Sequence, residues 1–220
     1  MHERLGWDVE FREVDRKIRE SLSPDFDISV AMAAQRAQLQ QILLDHVPDI
    51  VHFSGHGDSK RGIYLEDEYR TAAPVDGKAL ADLFSIIRGK PSIVVLNACS
   101  TKRTARAFQN IVDYTIAMNR PIVDIAAIEF ASAFYRGLAR DLHVPAAFAA
   151  GLAQLRLMKL PSKTVPELFI AAGVKLQTPA EEKPVPEEVL RVPGATVSIA
   201  KNHMKGGVRI LIGNDNTSKG

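Results

Sequence analysis

The sequence predicts an α/β domain: a mostly parallel sheet with helices on both faces, a three-layer sandwich. Two observations carry this. The runs Asp49–Ser54 and Ser92–Leu96 are almost continuously apolar, as strands buried on both faces are. The segments between and after them place apolar residues at helical spacing, and strands alternating with helices imply parallel pairing through crossovers.

Taken in order, Leu5, Val9, Val14, Ile18 and Leu22 recur among charges at roughly helical spacing, so the first 22 residues read as a helix that Ser23-Pro24 stops. Phe26–Val30 alternates with period two, as a strand does. A second helix through Leu39, Ile42 and Leu43 ends near His46-Val47-Pro48. The strand Asp49–Ser54 runs abruptly into Gly55-His56-Gly57. A small hairpin is expected from Gly62–Glu66 and a return through Tyr69–Thr71, and a helix over Gly77–Ile87 turns Leu80, Leu83 and Phe84 inward. The second buried strand, Ser92–Leu96, stops at Asn97-Ala98-Cys99-Ser100. A helix over Thr101–Gln109, a strand over Val112–Ala117 and helices over Ile125–Leu142 and Ala146–Leu157 complete the pattern.

The composition bounds the function. The chain has 220 residues, 46% hydrophobic, 25% charged and 6% aromatic, the profile of one globular domain with a small appendage. No apolar stretch approaches the roughly 20 residues of a spanning helix, and the charged amino terminus does not read as a secretory signal, so a cytoplasmic location and no membrane partner are expected. Lys and Arg number 28 against 26 Asp and Glu, and a formal charge of +2 argues against nucleic acid as a partner. Cys99 is the only cysteine, which excludes an internal disulfide and leaves no basis for a thiolate metal site. No metal and no cofactor are expected.

Three regions follow: a domain over residues 1–174, a linker over 175–195 and a strand-forming tail over 196–220. The linker carries Pro179, Pro184, Pro186 and Pro193 among Glu181, Glu182, Glu187 and Glu188, with no apolar period. In the tail, Val197 and Ile199, and then Val208–Ile212, read as two short strands with turn residues Gly206-Gly207 between them and Gly213-Asn214-Asp215-Asn216 after them.

Functional groups in an open parallel sheet gather where strands leave its carboxyl edge. His56 and Cys99 both lie just beyond buried strands, separated by enough chain for one hairpin and one crossover helix, so they can meet. An imidazole beside a thiol takes its proton, and the thiolate attacks an electrophilic carbonyl. Glycines flanking His56 permit close backbone approach, and the amides of Gly57 and Cys99 could stabilise an oxyanion. Lys102, Arg103 and the start of a helix add positive potential near Cys99. Plainer readings stand beside this: a cysteine at a strand end is often a small core residue, and glycine-flanked strand ends are often only turns. Of the other histidines, His52 is expected to face the sheet, His46 and His143 to terminate helices as cations, and His2 and His203 to lie in tails.

Val51–Gly57 and Val94–Ser100 resemble the two catalytic blocks of the CHAT proteases, caspase-like and separase-related cysteine peptidases of bacteria. The acidic hairpin Leu65-Glu66-Asp67, the helix Val75–Phe84, Met118, the run Asp124–Phe130 and Phe134-Tyr135 agree, so the resemblance covers roughly residues 8–172. It implies a caspase-like sheet, His56 as general base and acid, Cys99 as nucleophile, and the amides of Gly57 and Cys99 as the oxyanion hole. It also implies a protein substrate, cleaved by an effector in bacterial defence or programmed cell death. Asn97, Ser100 and Asp58 are the residues expected near the substrate pocket. No preference for a basic residue before the scissile bond is expected, with Asp58, Glu66 and Asp67 leaving the point open. The chain departs from the family in starting almost at its charged helix, without the usual first strand.

The tail resembles bacterial amyloid-signalling motifs, in which aliphatic strands and Asn ladders stack in cross-β fashion; that would make a sensor or receptor protein a partner and self-association a property. An ordinary hairpin padding the sheet edge, or a strand filling the place of the missing first one, are the alternatives. Overall, a cysteine endopeptidase competes with a non-catalytic caspase-like adaptor working through its tail, and with an unrelated α/β domain in which His56 and Cys99 never meet.

Overall fold

Burial on both faces dictates the centre of the molecule. In the computed structural model, which describes Arg12, Arg16 and residues 26–31, 33–160, 166–174, 191–192, 195–196 and 208–214, both apolar runs are strands. The elements are β1 (Phe26–Ala31), α1 (Leu39–His46), β2 (Ile50–Gly55), β3 (Gly57–Asp58), β4 (Gly62–Glu66), β5 (Ala72–Val75) and α2 (Gly77–Ile86). They continue with β6 (Ile93–Ala98), α3 (Lys102–Ala107), β7 (Tyr114–Met118), α4 (Asp124–Leu138), α5 (Val144–Leu157) and β8 (Pro166–Ile170), then β9 (Arg191–Val192), β10 (Ala195–Thr196) and β11 (Val208–Asn214).

The main sheet runs β1-β11-β2-β6-β7-β8. Every neighbouring pair is parallel except β7 with β8. Because side chains alternate across a strand, each strand feeds two cores. Ile50, Ile93, Val95 and Ile116 meet Phe130, Phe134, Tyr135 and Leu138 of α4 and Ala147 and Leu155 of α5 on one face. Val51, Phe53, Val94 and Leu96 meet Leu39, Leu43, Leu80, Phe84 and Ala105 of α1, α2 and α3 on the other. The expected mostly parallel sheet with helices on both faces is therefore present. Fully burying side chains such as Phe84, Phe108 and Phe130 contributes about 1.5–3 kcal/mol each. Phe84 and Phe108 also meet edge to face, 5.1 Å between centroids, which locks α2 against the chain leaving α3.

Several boundaries differ from expectation for identifiable reasons. The return strand of the hairpin is β5 rather than Tyr69–Thr71, because Asp67 closes the turn there. Its Oδ1 accepts from the amides of Tyr69 and Thr71, both at 2.9 Å, and its Oδ2 accepts from the Thr71 hydroxyl at 2.6 Å. The Thr71 hydroxyl first, then these amides, hold the Asp67 carboxyl below its ordinary value. β6 extends through Asn97 and Ala98, beyond the apolar run, because both pair with β2. β8 was not anticipated. Of the helix expected over the first 22 residues, Arg12 and Arg16 are described and are helical; its remaining residues lie outside the described ones, as do Val197 and Ile199. Most of the expected linker also lies outside them, while β9 and β10 form a short antiparallel pair across its boundary with the tail. β11 sits in the interior of the sheet, paired with β1 on one side and β2 on the other. Among the described residues no helix is long and apolar enough to cross a membrane.

Candidate active site

The register of the two central strands decides which side chains share the carboxyl edge. β2 pairs with β6 from Ile50 opposite Ile93 to Gly55 opposite Ala98. The next residue on each chain is His56 and Cys99. Burial ends at the same level on both: His56 is exposed and Cys99 half-buried, while the strands beneath them are buried. The loop after His56 lies directly on the turn that carries the thiol. A Cβ placed on Gly57 would stand 2.5 Å from the Cys99 carbonyl oxygen and 3.1 Å from both Ala98 Cβ and Thr101 Cγ2. The His56 carbonyl accepts from the Tyr64 amide at 3.1 Å, which ties the loop to β4.

The cysteine turn is held by a residue that sequence reasoning treated only as the start of a helix. Ser100 has φ of 56°, a left-handed conformation that costs a non-glycine residue free energy and persists only where neighbours enforce it. Thr101 enforces it. Fully buried, it donates its hydroxyl to the carbonyls of Ala98 at 3.0 Å and Leu96 at 3.1 Å, and the same oxygen accepts from the Met118 amide at 3.1 Å. Its own amide donates to the Met118 carbonyl at 2.9 Å. The ends of β6 and β7 are thereby joined just after Cys99. A threonine at a helix start suggests a cap, but the hydroxyl here points back into the sheet and makes no cap bond.

The remaining candidates are placed as follows. Asn97 is buried in β6 opposite Ser54, and Ser100 is half-buried in the turn. Asp58 directs its carboxylate to its own loop, accepting from the amides of Lys60 and Arg61 at 2.8 Å each. Those two bonds hold its carboxyl below the ordinary value. Lys102 forms an ion pair with Glu167 of β8 at 2.9 Å, so much of its charge is spent there rather than on Cys99, and α3 has only six residues. A groove of about 450 Å³ lined by Lys90, Asn110, Asp113 and Gly173 lies at the opposite, amino edge of the sheet, where β7 begins.

Of the other histidines, His2 and His203 lie outside the described residues, and His46, His52 and His143 are structural. His52 is buried in β2 with Nδ1 2.9 Å from the Tyr135 hydroxyl, and the two rings stack at 5.7 Å. His46 closes α1 as expected. His143 corrects the sequence reading: rather than terminating a helix, it caps the amino end of α5, its Nδ1 accepting from the Ala146 amide at 3.2 Å.

With this geometry in place, the chain can be set beside known proteins. The family model for the CHAT domain matches residues 6–182. The chain belongs to the CHAT domain family. This CHAT domain is 24% identical over 166 residues to a Roc-COR-CHAT protease from an unknown prokaryotic organism, a match covering 72% of this chain and 16% of that protein. It is 23% identical over 137 residues to a probable protease of Gillisia limnaea, covering 61% of this chain and 24% of that protein. The chain thus spans no more than about a quarter of either relative. Its mostly parallel, helix-flanked sheet is a caspase-like arrangement.

The Thr101 clamp makes a direct prediction for this CHAT domain. Thr101→Val keeps the shape but leaves the buried Met118 amide without its acceptor, at a cost of about 1–3 kcal/mol. Thermal unfolding followed by circular dichroism is expected to show a loss of roughly 2–10 °C. Thr101→Ser, which retains the hydroxyl, is expected to lose less. Equal melting of the valine variant and the wild type would show that the clamp contributes nothing.

Proposed function

We propose that this CHAT domain is a cysteine endopeptidase in which Cys99 is the nucleophile and His56 the general base and acid. The observation that carries the reading is the register: Gly55 opposite Ala98 brings the next residues, His56 and Cys99, out of adjacent parallel strands at one edge. The protease names of the two relatives support the same reaction class.

In this reading the imidazole of His56 takes the thiol proton, and Sγ of Cys99 attacks the carbonyl carbon of the scissile peptide bond. The new S–C bond leaves negative charge on the carbonyl oxygen, for which the amides of Gly57 and Cys99 are the proposed donors. Collapse of this intermediate breaks the C–N bond as His56 returns its proton to the leaving amine. A water deprotonated by His56 then hydrolyses the thioester and releases the thiol. The substrate is a partner protein; Asp58 and Asp67 are engaged by their own turns, which leaves Glu66, buried in β4, as the carboxylate on which a preference for a basic side chain before the cut would rest. The setting is a cytoplasmic effector of bacterial defence or programmed death, addressed by a sensor protein.

The test is covalent labelling. A peptide acyloxymethyl ketone incubated with the purified chain, alone and artificially clustered, is expected to modify Cys99, as read by intact mass. Labelling should vanish in Cys99→Ala. Because that variant contains no cysteine, any modification it retains identifies a different nucleophile and overturns the assignment.

A further inference from the structure

β11 lies inside the main sheet, next to its edge strand β1, yet it reaches that place from far along the chain. It pairs in parallel with β1 from Phe26 opposite Val208 to Ala31 opposite Gly213, and with β2 from Ile50 opposite Ile210 to Ser54 opposite Asn214. The strands on either side of it are consecutive in sequence and joined through α1, so the slot between them is framed by a single β1-α1-β2 unit. Without an occupant, β1 has no partner in the sheet order and β2 presents a bare row of backbone donors and acceptors. Such an edge is a template for another strand, and unpaired buried backbone groups are costly.

The segment connecting β8 to β11 runs from residue 171 to 207, with proline and glutamate concentrated between 179 and 188. A segment of this many residues could span up to about 115 Å at about 3.1 Å per residue. A globular chain of this length has a radius of gyration of only about 17 Å. The tether therefore does not oblige the strand to fill the slot of its own molecule.

We propose that the slot between β1 and β2 is a strand-binding site whose ligand is the Val208–Asn214 strand of this chain, supplied either by the same molecule or by a second copy. When copies are gathered together, the strands are exchanged. Exchange reproduces every backbone bond of the closed form, so its cost is mainly that of giving up an intramolecular partner. That partner is present at an effective concentration of the order of millimolar or below. Clustering on a scaffold reaches this range, and dilute solution does not. The strand next to β2 is also the neighbour, opposite β6, of the strand that delivers His56, so exchange would place one copy's segment beside another copy's candidate site.

Cross-linking tests this without reference to catalysis. In a Cys99→Ala background, which has no other thiol, one chain carries Asp27→Cys and another Arg209→Cys, positions paired in register. The two are mixed at concentrations from micromolar to near millimolar, and also unfolded and refolded together, then oxidised. A covalent heterodimer linked between positions 27 and 209, increasing with concentration, is the expected result. Overturning results are of two kinds. One is the absence of the heterodimer at every concentration and after joint refolding, while a further variant carrying both cysteines on one chain forms the link within itself. The other is a link between position 209 of two copies, which would mean that the tails stack on each other and do not enter the slot. Ser29→Cys with Leu211→Cys, the next pair on the same face, guards against a variant that fails to fold.

Discussion

His56→Gln is expected to lower peptide cleavage by about 10²–10⁴-fold while leaving the melting temperature close to that of the wild type. The first half follows from the role of a general base, whose removal costs that much in proton-transfer reactions. The second follows from position: the side chain is exposed at the sheet edge, where substitutions usually change stability by under about 0.5 kcal/mol. His52 is the internal control. It lies four residues earlier, is buried and contacts the Tyr135 hydroxyl, so replacing it should appear in the melting curve. Parallel measurements of kcat/KM and Tm on both variants separate the two roles. If His56→Gln cleaves as fast as the wild type, the dyad is wrong, whatever the fold.

The contrast between these histidines also shows what can be read from a sequence. β2 and β6 were legible because burial on both faces leaves an apolar run that few other structures produce, and the polar residues ending each run marked the functional edge. His56 and Cys99 could be nominated for that reason. β8 was not legible, since it is short, begins at a proline and lies at the antiparallel end of the sheet, where neither continuous burial nor strict alternation is required. The strand character of Val208–Ile212 was visible in its β-branched residues, but its place between β1 and β2 is a long-range pairing that local composition does not encode. Thr101 was missed on other grounds. Its hydroxyl serves carbonyls and an amide that only the folded sheet brings together, and the same residue type at a helix start ordinarily signals a cap.

Gly57→Ala is expected to slow labelling of Cys99 by about 100-fold or more and to destabilise the fold by about 1–3 kcal/mol, because the methyl group has nowhere to go. Its nearest neighbour at 2.5 Å is a backbone oxygen, so no side-chain rotation relieves the contact. Restoring an ordinary separation requires one of two backbones to move by most of an ångström. On one side, Gly57 is paired with Ile63 and the preceding His56 carbonyl is bonded to Tyr64. On the other, the Cys99 turn is held to β7 through Thr101. Neither yields cheaply, and whichever moves changes the separation of the imidazole and the thiol. A displacement of about 1 Å in reacting groups costs roughly 10²-fold in rate. The effect therefore falls on chemistry as well as on stability, and Ser59→Ala, an exposed position in the same loop, should show neither. The rate constant for acyloxymethyl ketone labelling and the melting temperature, measured on both variants, check this. A Gly57→Ala protein that labels within about threefold of the wild type would mean that the loop carrying His56 does not need its close seat on the cysteine turn.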